Sequence, residues 1–304
     1  MAKEDRHWRI QGHWGGCSLS LNTAPVGVFD SSIGGLSVLQ ALHAELPLEH
    51  FVYLDDGGHA PYGERGDAYV IARSRAVTQH LRSRYGIKAL VIACNTATMA
   101  AVALLRAEHP DLPIIGVEPG LKPAATASKT KRVGVIGTRG TVTSAKFDAL
   151  RRSLQSQAEY IVQPCDGLAD AISRSVATAD DSKVIALCAD NISAMGRFGT
   201  QAGEIDTLVL GCTHYVFVQD QLAALVGPQV QILSTGEPVA RHTRRLLEAA
   251  RSLANTGPGR VQLTTTGDPA VLQAAAQRWL GFATEPAFIA SFSASPDQAL
   301  PVEP

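Results

Sequence analysis

The sequence predicts an α/β fold: two similar doubly wound parallel-sheet domains, related by internal duplication, with the active site in the cleft between them. Three observations carry this. Apolar runs of strand length alternate with amphipathic stretches almost throughout, the pattern of helices wound around parallel sheets. The strand and turn Val26-Gly-Val-Phe-Asp-Ser-Ser-Ile-Gly34 is matched, 107 residues later, by Val133-Gly-Val-Ile-Gly-Thr-Arg-Gly140. The run Ala89-Leu-Val-Ile-Ala-Cys94-Asn-Thr96 is matched, 118 residues later, by Thr207-Leu-Val-Leu-Gly-Cys212-Thr-His214. One short match means little. Two in the same order at nearly the same spacing indicate a repeated unit.

Residues 1–24 show no clear period and read as a disordered extension. Val26–Phe29 is the first predicted strand, turning through Asp30-Ser-Ser-Ile-Gly-Gly35 into a helix over 36–44, where Leu36, Leu39 and Leu42 recur at helical spacing. Phe51–Leu54 is the second strand. The stretch Asp55-Asp-Gly-Gly-His-Ala-Pro-Tyr-Gly63 is polar and glycine-rich and predicts a surface loop of the functional kind. A helix over 67–85 stops at Gly86, a suitable C-cap. The Cys94 strand leads into a helix over 96–106, followed by strand 113–117 and helix 120–127. Strand 132–136, helix 142–154, strand 160–163 and helices 167–177 and 181–198 continue the alternation. The Cys212 strand then feeds a helix over 215–225. Strand 229–233, helix 237–253, strand 260–264 and helix 269–280 complete it, and a proline-containing tail from Ser291 is loose.

A chain of 304 residues, 45% hydrophobic and 18% charged, is globular and long enough for two cores. A net charge of −1 gives no general attraction to nucleic acid or to an anionic membrane. The most apolar region, 89–107, is interrupted by Asn95, Thr96, Thr98 and Arg106, so no membrane span is expected. The first 24 residues lack the apolar segment of a secretory signal. Five cysteines, at 17, 94, 165, 188 and 212, form an odd set without CxxC or zinc spacing, which suits reduced thiols in a cytoplasmic protein. No metal-ligand spacing occurs among the histidines and carboxylates. Gly134, Gly137 and Gly140 lack the spacing of a dinucleotide fingerprint, and no phosphate-binding loop is present, so neither metal nor cofactor is expected.

The chemistry concentrates at the two matched cysteines. Each follows a buried strand and precedes a helix, at the carboxyl edge where α/β sheets bind ligands. Asn95, Thr96 and Thr213 are placed to cap the following helices. A helix N-terminus is expected to lower each thiol's pKa. Two repeated units facing each other would put Cys94 and Cys212 on opposite walls. Like groups on either side of one carbon suit stereoinversion: one thiolate removes an α-proton and the opposite thiol returns one. Asp30 and His214 are candidates to orient or deprotonate the thiols. Asn95, Thr96 and Thr213 offer donors to a substrate carboxylate, and Tyr62 would line the pocket. Thr138 and Thr141 either cap a helix or bind a distal carboxylate. Cys17, Cys165 and Cys188 read as small buried apolar residues. A thiol hydrolase would use one cysteine with His214 but leaves the second thiol without a role. A ligand-binding or interaction module is the alternative from outside catalysis.

The motifs Asp30-Ser31, Pro61-Tyr62-Gly63, Ala93-Cys94-Asn95-Thr96-Ala97, Gly116-Val-Glu-Pro119, Gly134-Val-Ile-Gly-Thr138, Leu210-Gly-Cys212-Thr-His214-Tyr and Thr266-Gly-Asp-Pro269 resemble those of the bacterial glutamate racemase family, in order, from about residue 25 to 282. The resemblance implies a cofactor-independent, two-thiol racemase that supplies D-glutamate for peptidoglycan synthesis, with aspartate as the alternative substrate. Cys212 would act on the L-isomer and Cys94 on the D-isomer, assisted by His214 and Asp30. Substrate contacts are implied at Asp30, Ser31, Tyr62, Gly63, Asn95, Thr96, Thr213 and His214. Implied domains are 25–119 plus 234–290, and 120–233, with 291–304 as a tail. Glutamate is the implied partner, nucleic acid and membrane are not, and a homodimer is allowed. The chain departs from the family pattern at Ser32, usually glycine, at Asp55-Asp56-Gly57-Gly58, at Val216, at Ser234-Thr-Gly-Glu237, and at Ser173, where a glutamate that assists the histidine is expected.

Overall fold

Strand side chains point alternately to opposite faces, so a strand buried on both faces reads as an uninterrupted apolar run. The computed structural model, which describes residues 22–281 and 287–289, places such runs in ten strands. They are β1 (Val26–Asp30), β2 (Phe51–Asp55), β3 (Ala89–Ile92), β4 (Ile114–Gly116), β5 (Arg132–Gly137), β6 (Glu159–Pro164), β7 (Thr207–Gly211), β8 (Gln231–Leu233), β9 (Val261–Thr265) and β10 (Ala287–Phe288). The helices are α1 (Leu36–Glu45), α2 (Asp67–Tyr85), α3 (Asn95–Glu108), α4 (Leu121–Ala127), α5 (Arg139–Val142), α6 (Ala145–Ser153), α7 (Leu168–Thr178), α8 (Ser182–Ser193), α9 (Gln219–Val226), α10 (Gly236–Ala249) and α11 (Pro269–Leu280).

Two all-parallel sheets result, with orders β10-β9-β2-β1-β3-β4 and β6-β5-β7-β8. The segment β2-β1-β3-β4 has the same order as β6-β5-β7-β8. The registers agree too. Val26 lies opposite Ala89 in the first sheet and Val133 opposite Thr207 in the second, which are the offsets of 107 and 118 seen in the sequence. The duplication read from short motifs is therefore a duplication of strand order and hydrogen-bond register.

Both sheets are covered on both faces. In the first, Val26, Val28, Tyr53 and Val91 pack toward α1, α10 and α11, while Phe29, Val52, Leu54, Leu90 and Ile92 pack toward α2 and α3. In the second, Val133, Val135 and Val209 face α4 and α6, and Ile136, Leu208 and Leu210 face α7, α8 and α9. Cys94 continues the Leu90–Ile92 face and Cys212 continues the Leu208–Leu210 face, so the two thiols leave equivalent sides of equivalent strands.

Several sequence expectations change in detail. The helix predicted over 142–154 starts later, at Ala145, where Ser144 Oγ accepts from Phe147 N as the cap of α6, and the turn before it forms the short helix α5. The helix expected at 215–225 begins as a six-residue 3-10 segment, Thr213–Val218, before α9. The residues after the cysteines do not cap: at α3 the cap acceptor is Cys94 Sγ itself, 3.4 Å from Ala97 N, and the Asn95 amide donates instead to Val117 O. The stretch 55–63 is not simply a surface loop. Asp55, Asp56 and Tyr62 are buried, and Asp56 accepts from Arg73 (2.9 and 3.1 Å), Tyr62 (2.6 Å), Thr266 (2.9 Å) and the facing His59 ring (3.0 Å). Polarity here reflects a saturated buried ion pair, which composition alone cannot distinguish from solvation. Residues 1–21, with Cys17, and the tail from 290 lie outside the described residues.

Candidate active site

The carboxyl ends of β1, β3 and β7 meet at a cleft of about 380 Å³. Asp30 and Ser31 enter it from β1, Cys94, Asn95 and Thr96 from the β3–α3 turn, and Cys212, Thr213 and His214 from the turn after β7. Tyr62 and Gly63, carried by the buried loop, close another side. The ten residues expected to be catalytic or to contact substrate thus line one cleft, contributed by both sheets.

On the first-sheet side, Ser31 N and Oγ donate to Asp30 Oδ1 at 2.6 and 3.2 Å, and Ser31 Oγ lies 3.4 Å from Cys94 Sγ. Thr213 Oγ1 donates across the cleft to Asp30 Oδ2 at 2.9 Å, so one carboxylate ties the two halves together. Burial raises the Asp30 pKa to about 6, against the lowering effect of hydrogen bonds from Thr213, Cys94 and Ser31. Burial likewise pushes the Cys94 thiol up to about 12, with the nearby Asp30 charge adding to the rise.

On the second-sheet side, Cys212 Sγ lies 3.7 Å from His214 Nδ1, and the opposite ring nitrogen, Nε2, lies 3.1 Å from Ser173 Oγ on α7. Burial drives the Cys212 thiol still higher and holds His214 down to about 4. The expected lowering of the thiol pKa is therefore reversed by burial. The α3 N-terminus does donate to Cys94, but removing a thiolate from water outweighs one weak N–H···S contact. At Cys212 the following segment is a 3-10 turn without a side-chain cap bond, and burial outweighs the one backbone hydrogen bond, from His214, that favours the thiolate.

Thr96, Thr138 and Thr141 bring three hydroxyls within 2.9–3.3 Å of one another, joining α3 to α5. Of the two roles open to Thr138, side-chain capping does not occur: it occupies the N-cap position of α5 without a cap bond, and its hydroxyl faces the Thr96 hydroxyl instead. Asn95 Oδ1 is buried with no hydrogen-bond partner, an acceptor left open beside the thiols. The cleft also takes in residues that sequence patterns pass over: Ser32, Cys165, Asp166, Asp170, Ser173 and Arg174. Cys165 is buried as expected but borders the cleft, and Cys188 is core. Only the departures from the family pattern at Ser32 and Ser173 had flagged any of these. Among the described residues, no group of three or more His, Cys, Asp or Glu side chains could hold a metal ion, and no helix is long and apolar enough to cross a membrane.

A sequence model of the Asp/Glu/Hydantoin racemase family matches residues 27–243. Glutamate racemase of Ectopseudomonas mendocina is 42% identical over 264 residues, covering 86% of this chain and 97% of that protein. Glutamate racemase of Ralstonia nicotianae is 44% identical over 258 residues, covering 85% and 90%. Among solved structures, the glutamate racemase isoform RacE1 of Bacillus anthracis superposes with a TM-score of 0.78 at 29% identity, covering 89% of this chain and 98% of that one. Escherichia coli glutamate racemase, in complex with L-glutamate and activator UDP-MurNAc-ala, superposes with a TM-score of 0.75 at 26% identity, covering 87% and 97%.

Proposed function

The chain belongs to the Asp/Glu/hydantoin racemase family and racemises glutamate, and we propose that it does so without a cofactor by two-thiol acid–base chemistry at Cys94 and Cys212. Two thiols at equivalent ends of equivalent strands, bordering one cleft, are the observation that most directly supports this. Cys212 as thiolate takes the α-proton of L-glutamate while the Cys94 thiol gives its proton to the opposite face. Cys212 is then the thiol and Cys94 the thiolate, and D-glutamate reverses the roles.

The raised pKa of both thiols favours their neutral form, because a thiolate there would be buried near the Asp30 carboxylate. The substrate's ammonium brings the missing positive charge, so binding itself makes the thiolate affordable and limits it to the time when there is a proton to remove. Asp30, beside Cys94, and His214, beside Cys212, are the groups able to receive each thiol's proton. Asn95 Oδ1 is an open acceptor for the ammonium. Ser31, Thr96 and Thr213 supply hydroxyl donors to the carboxylates, with Thr138 beside Thr96, and Tyr62 and Gly63 wall the cleft. The site draws on both sheets, and we assign the chain to two domains, 25–119 plus 234–290, and 120–233. D-glutamate made in this way would feed peptidoglycan synthesis in the cytoplasm.

Incubation with L-glutamate in D₂O is the test. The circular-dichroism signal should decay to zero and the product should carry deuterium at Cα. Retention of optical activity with no deuterium uptake under reducing conditions would sink the proposal, and faster exchange of aspartate would reassign the substrate.

A further inference from the structure

His214 is clamped from three sides. Its Nδ1 looks toward Cys212, its Nε2 lies 3.1 Å from Ser173 Oγ, and its ring rests against Gly34, where a Cβ would come within 2.3 Å of Nδ1. Ser173 is not a lone neighbour, because its Oγ is 3.4 Å from Ser32 Oγ, at the turn after β1. The two serines, both departures from the family pattern, therefore face each other across the cleft and end on the histidine. The charged groups around this ring are few. On α7, Asp170 and Arg174 form an ion pair of 3.0 Å at the cleft margin, with Asp170 exerting a weak upward pull on His214. Asp30 is engaged by Thr213, and the thiol of Cys212 completes the set. Apart from Asp170, already paired with Arg174, no carboxylate on these elements is aimed at the ring.

We propose that Ser173, braced by Ser32, is a positioning residue that fixes the orientation of His214 against Cys212 while leaving the imidazole uncharged. The inference rests on Cys212 acting as one of the two bases. A hydroxyl differs from a carboxylate at this place in two ways. It can accept from Nε2–H or donate to Nε2, so it holds the ring in either tautomer as Cys212 alternates between thiol and thiolate. It adds no negative charge, so it does not hold the ring as an imidazolium in advance, and the buried ring rests neutral and able to receive the Cys212 proton, consistent with its depressed pKa.

The experiment compares four full-length variants, with kcat and KM measured separately and the His214 ring followed by NMR as pH is varied. Ser173→Ala should lower kcat about tenfold with little change in KM, since the group positions a base rather than binding substrate. Ser173→Thr, which keeps the hydroxyl, should restore most of that loss and separates positioning from a folding defect. Ser32→Gly should have a smaller effect in the same direction. Ser173→Glu should move the His214 titration upward by a unit or more. A wild-type kcat in Ser173→Ala, no rescue by Ser173→Thr, or an unmoved His214 titration in Ser173→Glu would each overturn the proposal. If Cys212→Ser is inactive and Ser173→Ala is not impaired, the positioning role alone fails. If Cys212→Ser turns over normally, it is the two-thiol reading that fails.

Discussion

The Cys94 and Cys212 ends of the cleft share a strand position and little else. Cys94 caps a fourteen-residue helix, accepts from Ala97 N, touches Ser31 and has the Asp30 carboxylate at hand. Cys212 stands before a 3-10 turn, makes no cap bond and has an imidazole beside it, backed by hydroxyls. A duplicated backbone has thus been given two different surroundings for its thiols, a carboxylate at one and an imidazole backed by hydroxyls at the other. Inversion requires two like groups at the carbon. It does not require like groups behind them: three carboxylates, Asp30, Asp55 and Asp56, are buried on the Cys94 side, with Asp30 bearing on Cys212 as well, while Asp170, which bears on His214, is paired with Arg174 at the cleft margin.

The largest test of this asymmetry removes each thiol. Cys94→Ser and Cys212→Ser should each lower racemisation by about 10³-fold or more, in line with loss of a positioned acid–base group. The surviving thiol should still wash deuterium into only the isomer it faces: D-glutamate for Cys212→Ser, L-glutamate for Cys94→Ser. Exchange of both isomers by either variant would break the division of labour.

Next is Asp30. With a pKa of about 6 it is protonated below that pH and ionised above it, so activity should rise with pH through about 6. Asp30→Asn keeps the acceptor for Thr213 but loses the base, and should cost about 10²-fold in kcat while abolishing that rise. An unchanged acid limb in Asp30→Asn would assign it elsewhere.

Stability separates the halves further. Arg73→Met strips Asp56 of its strongest partner and leaves a buried carboxylate with Tyr62, Thr266 and His59, an expected loss of about 3 kcal/mol by denaturant titration. The smallest effect is at Asp55, whose pKa burial raises to about 7. A carboxyl group raised in this way stabilises the fold while protonated and loses that contribution as pH climbs from about 4 through 7. Asp55→Asn, which still accepts from Thr265, should therefore raise the melting temperature more at pH 8 than at pH 5. An equal gain at both values would show that Asp55 does not titrate in this range.

Much of this architecture was legible in the residues. Strand and helix order followed from periodicity, and the offsets of 107 and 118 anticipated the register of β1 with β3 and of β5 with β7. The ten residues named as catalytic or substrate-contacting line the cleft, and Thr138 joins them. These features are readable because they depend on local pattern: alternation sets the faces of a strand, and position after the strand sets the edge at which a side chain emerges. Electrostatics were not legible. A helix N-terminus after a cysteine predicts a lowered thiol pKa, yet burial from both sheets raises it. The loop 55–63 looks solvated until Arg73, distant in sequence, is brought to Asp56.

By itself, then, the sequence determined a doubled α/β framework with a thiol at the same edge of each half. Tertiary structure alone decided what stands behind each thiol. Ser32, Ser173 and His214 are separated by 141 and 41 residues and meet only because β1 and α7 face one cleft, and Asp30 meets Thr213 across 183. Local periodicity carries no information about such pairs, because desolvation and long-range hydrogen bonds are properties of the packed chain.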